Sequence, residues 1–174
     1  MATLTAFRFD TVDGADNALG VVPMLQEQQL ITILDAALVS WPKGKNRPST
    51  RQVVLPTGTQ LLDGTFWGML FGLIFFVPVL DTGRREEMER LTSALSDVGI
   101  DEDFIYRLRS KLTEGTSALL VFSRDAVMDR INDAANGKKP DVIAINLGRD
   151  EERKLRNLFG PVISTPTVRP IVKS

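Results

Sequence analysis

Asp97, Asp101, Glu102 and Asp103 crowd four carboxylates into one short stretch, and hard oxygen ligands of that kind can take Ca²⁺ or Mg²⁺. They lack the alternating ligands, the glycine and the terminal glutamate of an EF-hand loop, so capping of a helix start explains them better than metal does. The chain has no Cys and no His, which excludes thiol nucleophiles, Cys or His zinc sites, imidazole-ligated haem and histidine-based triads. Ser, Thr, Lys and Tyr106 remain, but no Gly-x-Ser-x-Gly elbow, phosphate loop or dinucleotide fingerprint accompanies them. The expectation is therefore no enzyme activity, no cofactor and no bound metal. Lys43, Lys45, Arg47 and Arg51 form a basic loop that could touch phosphate or lipid headgroups, yet Pro and Gly interrupt it and it reads as a solvated turn. With 21 basic and 22 acidic residues the net charge is -1, and no aromatic residues interleave the basic ones, so nucleic acid is not expected as a partner.

The most informative stretch carries no charge at all. Between Asp63 and Asp81 the residues are uncharged, and from Phe66 they read Phe-Trp-Gly-Met-Leu-Phe-Gly-Leu-Ile-Phe-Phe-Val-Pro-Val-Leu. Crossing roughly 30 Å of hydrocarbon takes about 20 apolar residues at ~1.5 Å each. This run is shorter, Pro78 weakens its end, and Asp81, Arg84 and Arg85 follow at once. Three readings are open: a helix buried in the monomer core or on a free sheet face, a membrane anchor, or a contact between copies of the chain. Gly64, Gly68 and Gly72 recur at a four-residue spacing, which lines one side of a helix with bare backbone. A helical glycine costs about 1 kcal/mol relative to alanine, so three in register ask for a packing reason. In the self-association reading, helices of neighbouring subunits meet along these glycines, while Phe66, Phe71 and Phe75 fill the outer grooves.

Around that run the chain of 174 residues, 43% hydrophobic and 25% charged, has the balance of a folded protein with one sizeable core. Leu4 to Asp10 alternates as a half-buried strand, and Asp13 is placed to cap a helix carrying Ala18, Leu19, Val22 and Leu25, with Pro23 as a kink. Ile31 to Trp41 reads as a second strand, and Arg51 to Leu55 as a short arm pairing back on it. Ser117 to Ser123 is a buried-looking strand, Asp125 caps a helix through Val127, Met128 and Ile131 that closes at Asn136-Gly137, and Val142 to Leu147 supplies another strand. Between these halves, Arg84 to Leu95 is helical with Met88, Leu91 and Leu95 on one stripe. A further helix begins at Asp101-Glu102-Asp103 and buries Phe104, Ile105, Leu108 and Leu112, with Ile100 and Ile105 spaced for a hydrophobic staple. Asp150 to Phe159 is a charged helix with Leu155, Leu158 and Phe159 as its apolar contacts.

Two β-α-β halves predict an α+β fold: a ferredoxin-like antiparallel sheet with two helices on one face, whose other face must be covered by something else. The expected organisation is one domain over residues 1–160 with a helical insertion at about 62–113, then an extended Pro-containing arm over 161–174. In that arm Val162, Ile163, Val168, Ile171 and Val172 alternate with polar residues well enough to clasp the sheet edge of a neighbour.

Asp63-Gly64-Thr65-Phe66-Trp67-Gly68-Met69-Leu70-Phe71-Gly72-Leu73-Ile74-Phe75-Phe76-Val77-Pro78, then Leu95 to Phe104 and Lys111 to Leu119, resemble the bacterial domain-of-unknown-function 1269 family over most of the chain. The resemblance implies a ferredoxin-like domain interrupted by a helical hairpin. It implies no enzyme activity and brings no catalytic residues. Members are usually labelled membrane proteins, but where the family continues into a second apolar arm, this chain has the charged stretch Asp81 to Arg90.

The preferred expectation is thus a cytoplasmic, non-enzymatic protein without a secretion signal, whose partner is itself. Its contact is expected at Gly64, Phe66, Trp67, Gly68, Phe71, Gly72, Phe75 and Phe76, with Val168 and Ile171 of the arm as a clasp. A membrane-associated protein using the same helix as anchor is the alternative, and a small-ligand or metal-binding ferredoxin-like module the third.

Overall fold

The computed structural model describes residues 2–20, 22–28, 32–53, 62, 64–76, 85–124 and 141–159. Five antiparallel strands form its sheet: β1 (Ala2–Phe9), β2 (Thr32–Ser40), β3 (Ser49–Gln52), β4 (Ser117–Arg124) and β5 (Asp141–Leu147). Their order is β3-β2-β4-β1-β5. β4 pairs antiparallel with both β1 and β2, and β5 pairs antiparallel with β1, so β1 and β2 run in the same direction. Setting β3 aside, this is the order that two interlocked β-α-β units require, compatible with the expected ferredoxin-like sheet inside the observed α+β class.

The central strands are apolar on both sides, because both sheet faces are covered. One face, through Phe7, Ile33, Ala36, Leu38, Leu119 and Val121, packs against α1 (Gly14–Leu19) and α2 (Val22–Glu27). The single kinked helix expected here is in fact two, broken after Leu19, and Pro23 falls in the first turn of α2, where its missing N–H is harmless. Asp13 precedes α1 without donating or accepting a side-chain capping bond. The returning arm is β3, a few residues earlier than Arg51 to Leu55. The helix expected after Asp125 lies outside the described residues.

The opposite face is covered by the insertion. Here α3 (Gly64–Phe71) runs into a wider π-helical turn, Gly72–Phe76, followed by α4 (Arg85–Asp97), α5 (Glu102–Lys111) and, after β5, α6 (Arg149–Phe159). α4 stops at Gly99, whose φ of +93° closes the helix through an Ile100 N–H to Leu95 carbonyl bond of 2.9 Å. A Cβ at Gly99 would come within 2.5 Å of Leu147, so the turn is locked against β5. α5 starts on Asp101, whose side chain accepts the Phe104 N–H at 2.9 Å, and its acidic first turn and basic last turn suit the helix dipole. Ile100 and Ile105 are both buried, as the staple requires. α6 is fastened through Glu152, which takes Arg124 of β4 at 2.6 Å and Arg156 at 3.0 Å. It buries Leu155 and Phe159, but Leu158, expected as an apolar contact, is 61% exposed.

Candidate functional site on the central helix

α3 is asymmetric around its own axis. Phe66, Trp67, Leu70 and Phe71 are buried within the chain, and the π-helical turn continues the apolar side with Leu73, Ile74 and Phe75. Ring contacts run unbroken from one side of the insertion to the other. Phe159 of α6 meets Phe66 at 5.5 Å, Phe66 meets Trp67 at 5.0 Å, Trp67 stacks on Phe71 at 5.9 Å, Phe71 meets Phe75 at 6.1 Å, and Phe75 meets Trp41 edge-on at 5.7 Å. These separations suit edge and offset ring packing.

Phe66, Trp67, Phe71 and Phe75, expected at a contact with a neighbouring subunit, are buried within their own chain. The inner sheet face supplies Ala2, Leu4, Ala6, Ala37, Val39, Leu120 and Phe122, and the rings pack into the same cluster as these residues. The physical reason is the one the sheet imposes: the sheet is apolar on both sides, α1 and α2 pack on one of them, and the apolar run covers the other. Phe76 ends the π-helical turn, and its side chain is outside the described residues, as are Val168 and Ile171.

The other side of α3 is exposed. Gly64 and Gly68 are exposed and Gly72 is half-buried. Among the described residues, a Cβ at Gly68 or Gly72 would meet nothing within 4 Å, and one at Gly64 only Gln52 Oε1 at 3.9 Å. The contrast with Gly14 is sharp, because there a Cβ would strike Phe9 at 2.5 Å. Gly14 and Gly99 have steric reasons inside the subunit, whereas those on α3 have none among the described residues.

The start of α3 is held by a residue that the sequence reading did not single out. Asp35 of β2 is 0% exposed and accepts hydrogen bonds from Ala36 N–H at 2.8 Å, Leu62 N–H at 2.8 Å, Gln52 Nε2 at 3.1 Å and Trp67 Nε1 at 3.3 Å. Gln52 also donates to the Leu62 carbonyl at 3.0 Å. One carboxylate thereby ties β2, β3 and the entry to α3 together. A bulge between Ile33 and Asp35 makes room for it: Leu34 joins the α3-side cluster beside Ala37 and Val39, while Ile33 turns to the other face. Burial pushes the Asp35 carboxyl above its ordinary value of 3.8, and the bonds from Gln52, Leu62, Ala36 and Trp67 oppose that rise without cancelling it. The signal in the sequence is a lone acid inside an otherwise apolar strand, Thr-Ile-Leu-Asp-Ala-Ala-Leu-Val. At the far end of the helix, Arg109 of α5 donates to the Leu73 carbonyl at 2.8 Å, satisfying a backbone acceptor in the π-helical turn.

Several of the other candidate residues have structural partners. Asp101 caps α5 and Asp103 pairs with Arg107 at 3.2 Å, and among the described residues no group of three or more acidic side chains is placed to hold a metal ion. In the basic loop, Glu114 accepts the Gly44 N–H at 2.8 Å, Trp41 Nε1 donates to the Lys45 carbonyl at 2.9 Å, and Arg51 pairs with Asp16 at 3.1 Å. Among the described residues no helix is long and apolar enough to cross a membrane. α3 itself has 8 residues, extended by a π-helical turn of 5.

No curated protein and no solved structure matches the chain. A family model described as a protein of unknown function (DUF1269) matches residues 61–160, from the entry to α3 through the end of α6. That span is more than half of the chain and contains the whole insertion, so the chain belongs to the DUF1269 family.

Proposed function

We propose that this protein is a non-enzymatic, self-associating subunit whose contact is the outer, glycine-lined side of α3. The observation that carries the reading is the open space at Gly64 and Gly68 on a helix whose opposite side is wholly enclosed. Gly68, in the interior of α3, weakens the helix by about 1 kcal/mol relative to alanine, and no close approach among the described residues accounts for it or for Gly64 and Gly72. A second α3 crossing at this side would bring backbone to backbone at short range, with Thr65 and Met69 flanking the contact. The aromatic side plays no part in that contact; it holds α3 rigid against the sheet, with Asp35 fixing the helix entry.

The test is native mass at micromolar concentration. Wild type is expected at a multiple of 19.2 kDa, and Gly68→Leu, which fills open space and disturbs no internal packing, is expected to keep its circular dichroism and lose that contact. A wild-type protein that stays at 19.2 kDa, or a Gly68→Leu variant that keeps the full assembly, would sink the reading.

A further inference from the structure

The two edges of the sheet are finished differently. β3 is a four-residue strand that follows Pro48 and carries Arg51, three features that discourage another strand from adding to it. β5 is seven residues long and lies at the other end of the sheet, paired only with β1 among the described residues. After Asp141 it reads Val-Ile-Ala-Ile-Asn-Leu, with no charge, no proline and no glycine, and Val142, Ala144 and Asn146 are exposed. An uncharged, β-prone edge of this length presents a row of free backbone donors and acceptors to any strand that matches it.

We infer that β5 pairs antiparallel with β5 of a second copy, joining two sheets into one of ten strands. The inference shares with the reading above only the premise that the chain self-associates. The occupant is argued from how the strand matches itself. About a two-fold axis at Ala144, Ile143 lies opposite Ile145 on the buried face, and Val142 opposite Asn146 on the exposed face. Ala144 meets its own copy, a small residue at the point of closest approach. Asp141, held by Arg8 of its own chain at 3.1 Å, lies opposite Leu147 of the second copy, and no like charges stand opposed along the strand. A β5 contact and an α3 contact are distinct isologous surfaces, so together they generate an assembly larger than a dimer.

The experiment is a charge exchange at the axis, read by native mass. Ala144 is exposed, so Ala144→Lys and Ala144→Glu leave the fold intact while setting like charges against each other across the axis. Each variant alone is expected to lose the β5 contact and fall to the α3-linked dimer of twice 19.2 kDa, and an equimolar mixture is expected to recover the wild-type mass. Gly68→Leu, by contrast, is expected to retain a β5 dimer, and Gly68→Leu with Ala144→Lys to be monomeric. If Gly68→Leu changes nothing while the Ala144 variants halve the mass, the α3 reading fails and the edge pairing stands. Ala144→Lys at wild-type mass, or a mixture that recovers nothing, overturns the edge pairing; the first of these is also the outcome if the edge takes the chain's own arm or a peptide of another protein.

Discussion

The two sides of α3 lie about half a helical turn apart and follow opposite rules. Its inner side carries Phe66, Trp67 and Phe71 against a sheet face that would otherwise lie bare, and its entry is tied to a buried carboxylate. Its outer side carries Gly64 and Gly68, where among the described residues an added Cβ would meet only Gln52 within 4 Å. Large buried rings on one side and exposed glycines on the other teach that the helix is fixed to its own subunit by its inner side, while its outer side answers to no packing demand among the described residues.

The largest expected effect lies on the inner side. Trp67→Ala removes a buried ring, its packing on Phe66 and Phe71, and a donor to Asp35, and should cost about 3–5 kcal/mol in urea unfolding. A Trp67→Ala variant of wild-type stability with altered assembly would reverse the assignment of the two sides. Next comes Asp35→Ala. It leaves the Leu62 N–H, Gln52 and Trp67 donors without their acceptor, and roughly 1–3 kcal/mol is expected for each group that no water reaches. Hydrogen exchange should show the faster opening concentrated at α3 and β3; a uniform change would mean that Asp35 does not hold the helix entry.

Smaller effects sharpen the contrast. Gly68→Ala, measured at a concentration where the chain is dispersed, should stabilise the subunit by up to about 1 kcal/mol, because helix propensity improves and nothing is struck. Gly99→Ala should go the other way, with φ of +93° and Leu147 in the path of the new methyl. Equal effects at the two sites would erase the distinction between an open glycine and a locked one. The pH dependence of Asp35 is the most delicate prediction. Its carboxyl is raised by burial, so the folded chain holds that proton more tightly than the unfolded chain. The resulting stability is fully present below the ordinary value of 3.8 and fades as pH rises through the raised folded value. The stability advantage of wild type over Asp35→Asn should therefore shrink as pH rises through that window, and an advantage that grows would contradict burial as the dominant cause.

Much of this arrangement is legible before any coordinates. The strand alternation of Leu4 to Asp10, the apolar Ser117 to Ser123 and the capped start at Asp101 are local signals, and each marks an element that forms. The apolar run is different, since a buried helix, a membrane anchor and a subunit contact all ask for the same residues. What separates them is the bare second face of the sheet, assembled from β1, β2 and β4, which are far apart in sequence. Asp35 leaves a mark as a lone acid in an apolar strand, but its role is not legible for the same reason: its donors come from Gln52, Leu62 and Trp67, and only the folded chain brings them to one oxygen pair. The bulge beside it leaves no mark in the hydrophobic pattern, because Ile33 and Leu34 are apolar and the faces they take are both buried.

The outer side of α3 can be interrogated at a single atom, because the chain has no cysteine of its own. Gly68→Cys puts the only thiol of the molecule on the proposed contact, where two copies should lie within disulfide reach. Mild oxidation should convert most of the protein to a covalent dimer of twice 19.2 kDa, while Met24→Cys, on an exposed residue of α2, stays monomeric on a denaturing gel. A Gly68→Cys protein that oxidises no faster than the Met24→Cys control would show that no second helix meets α3 there, and the proposed contact would be wrong.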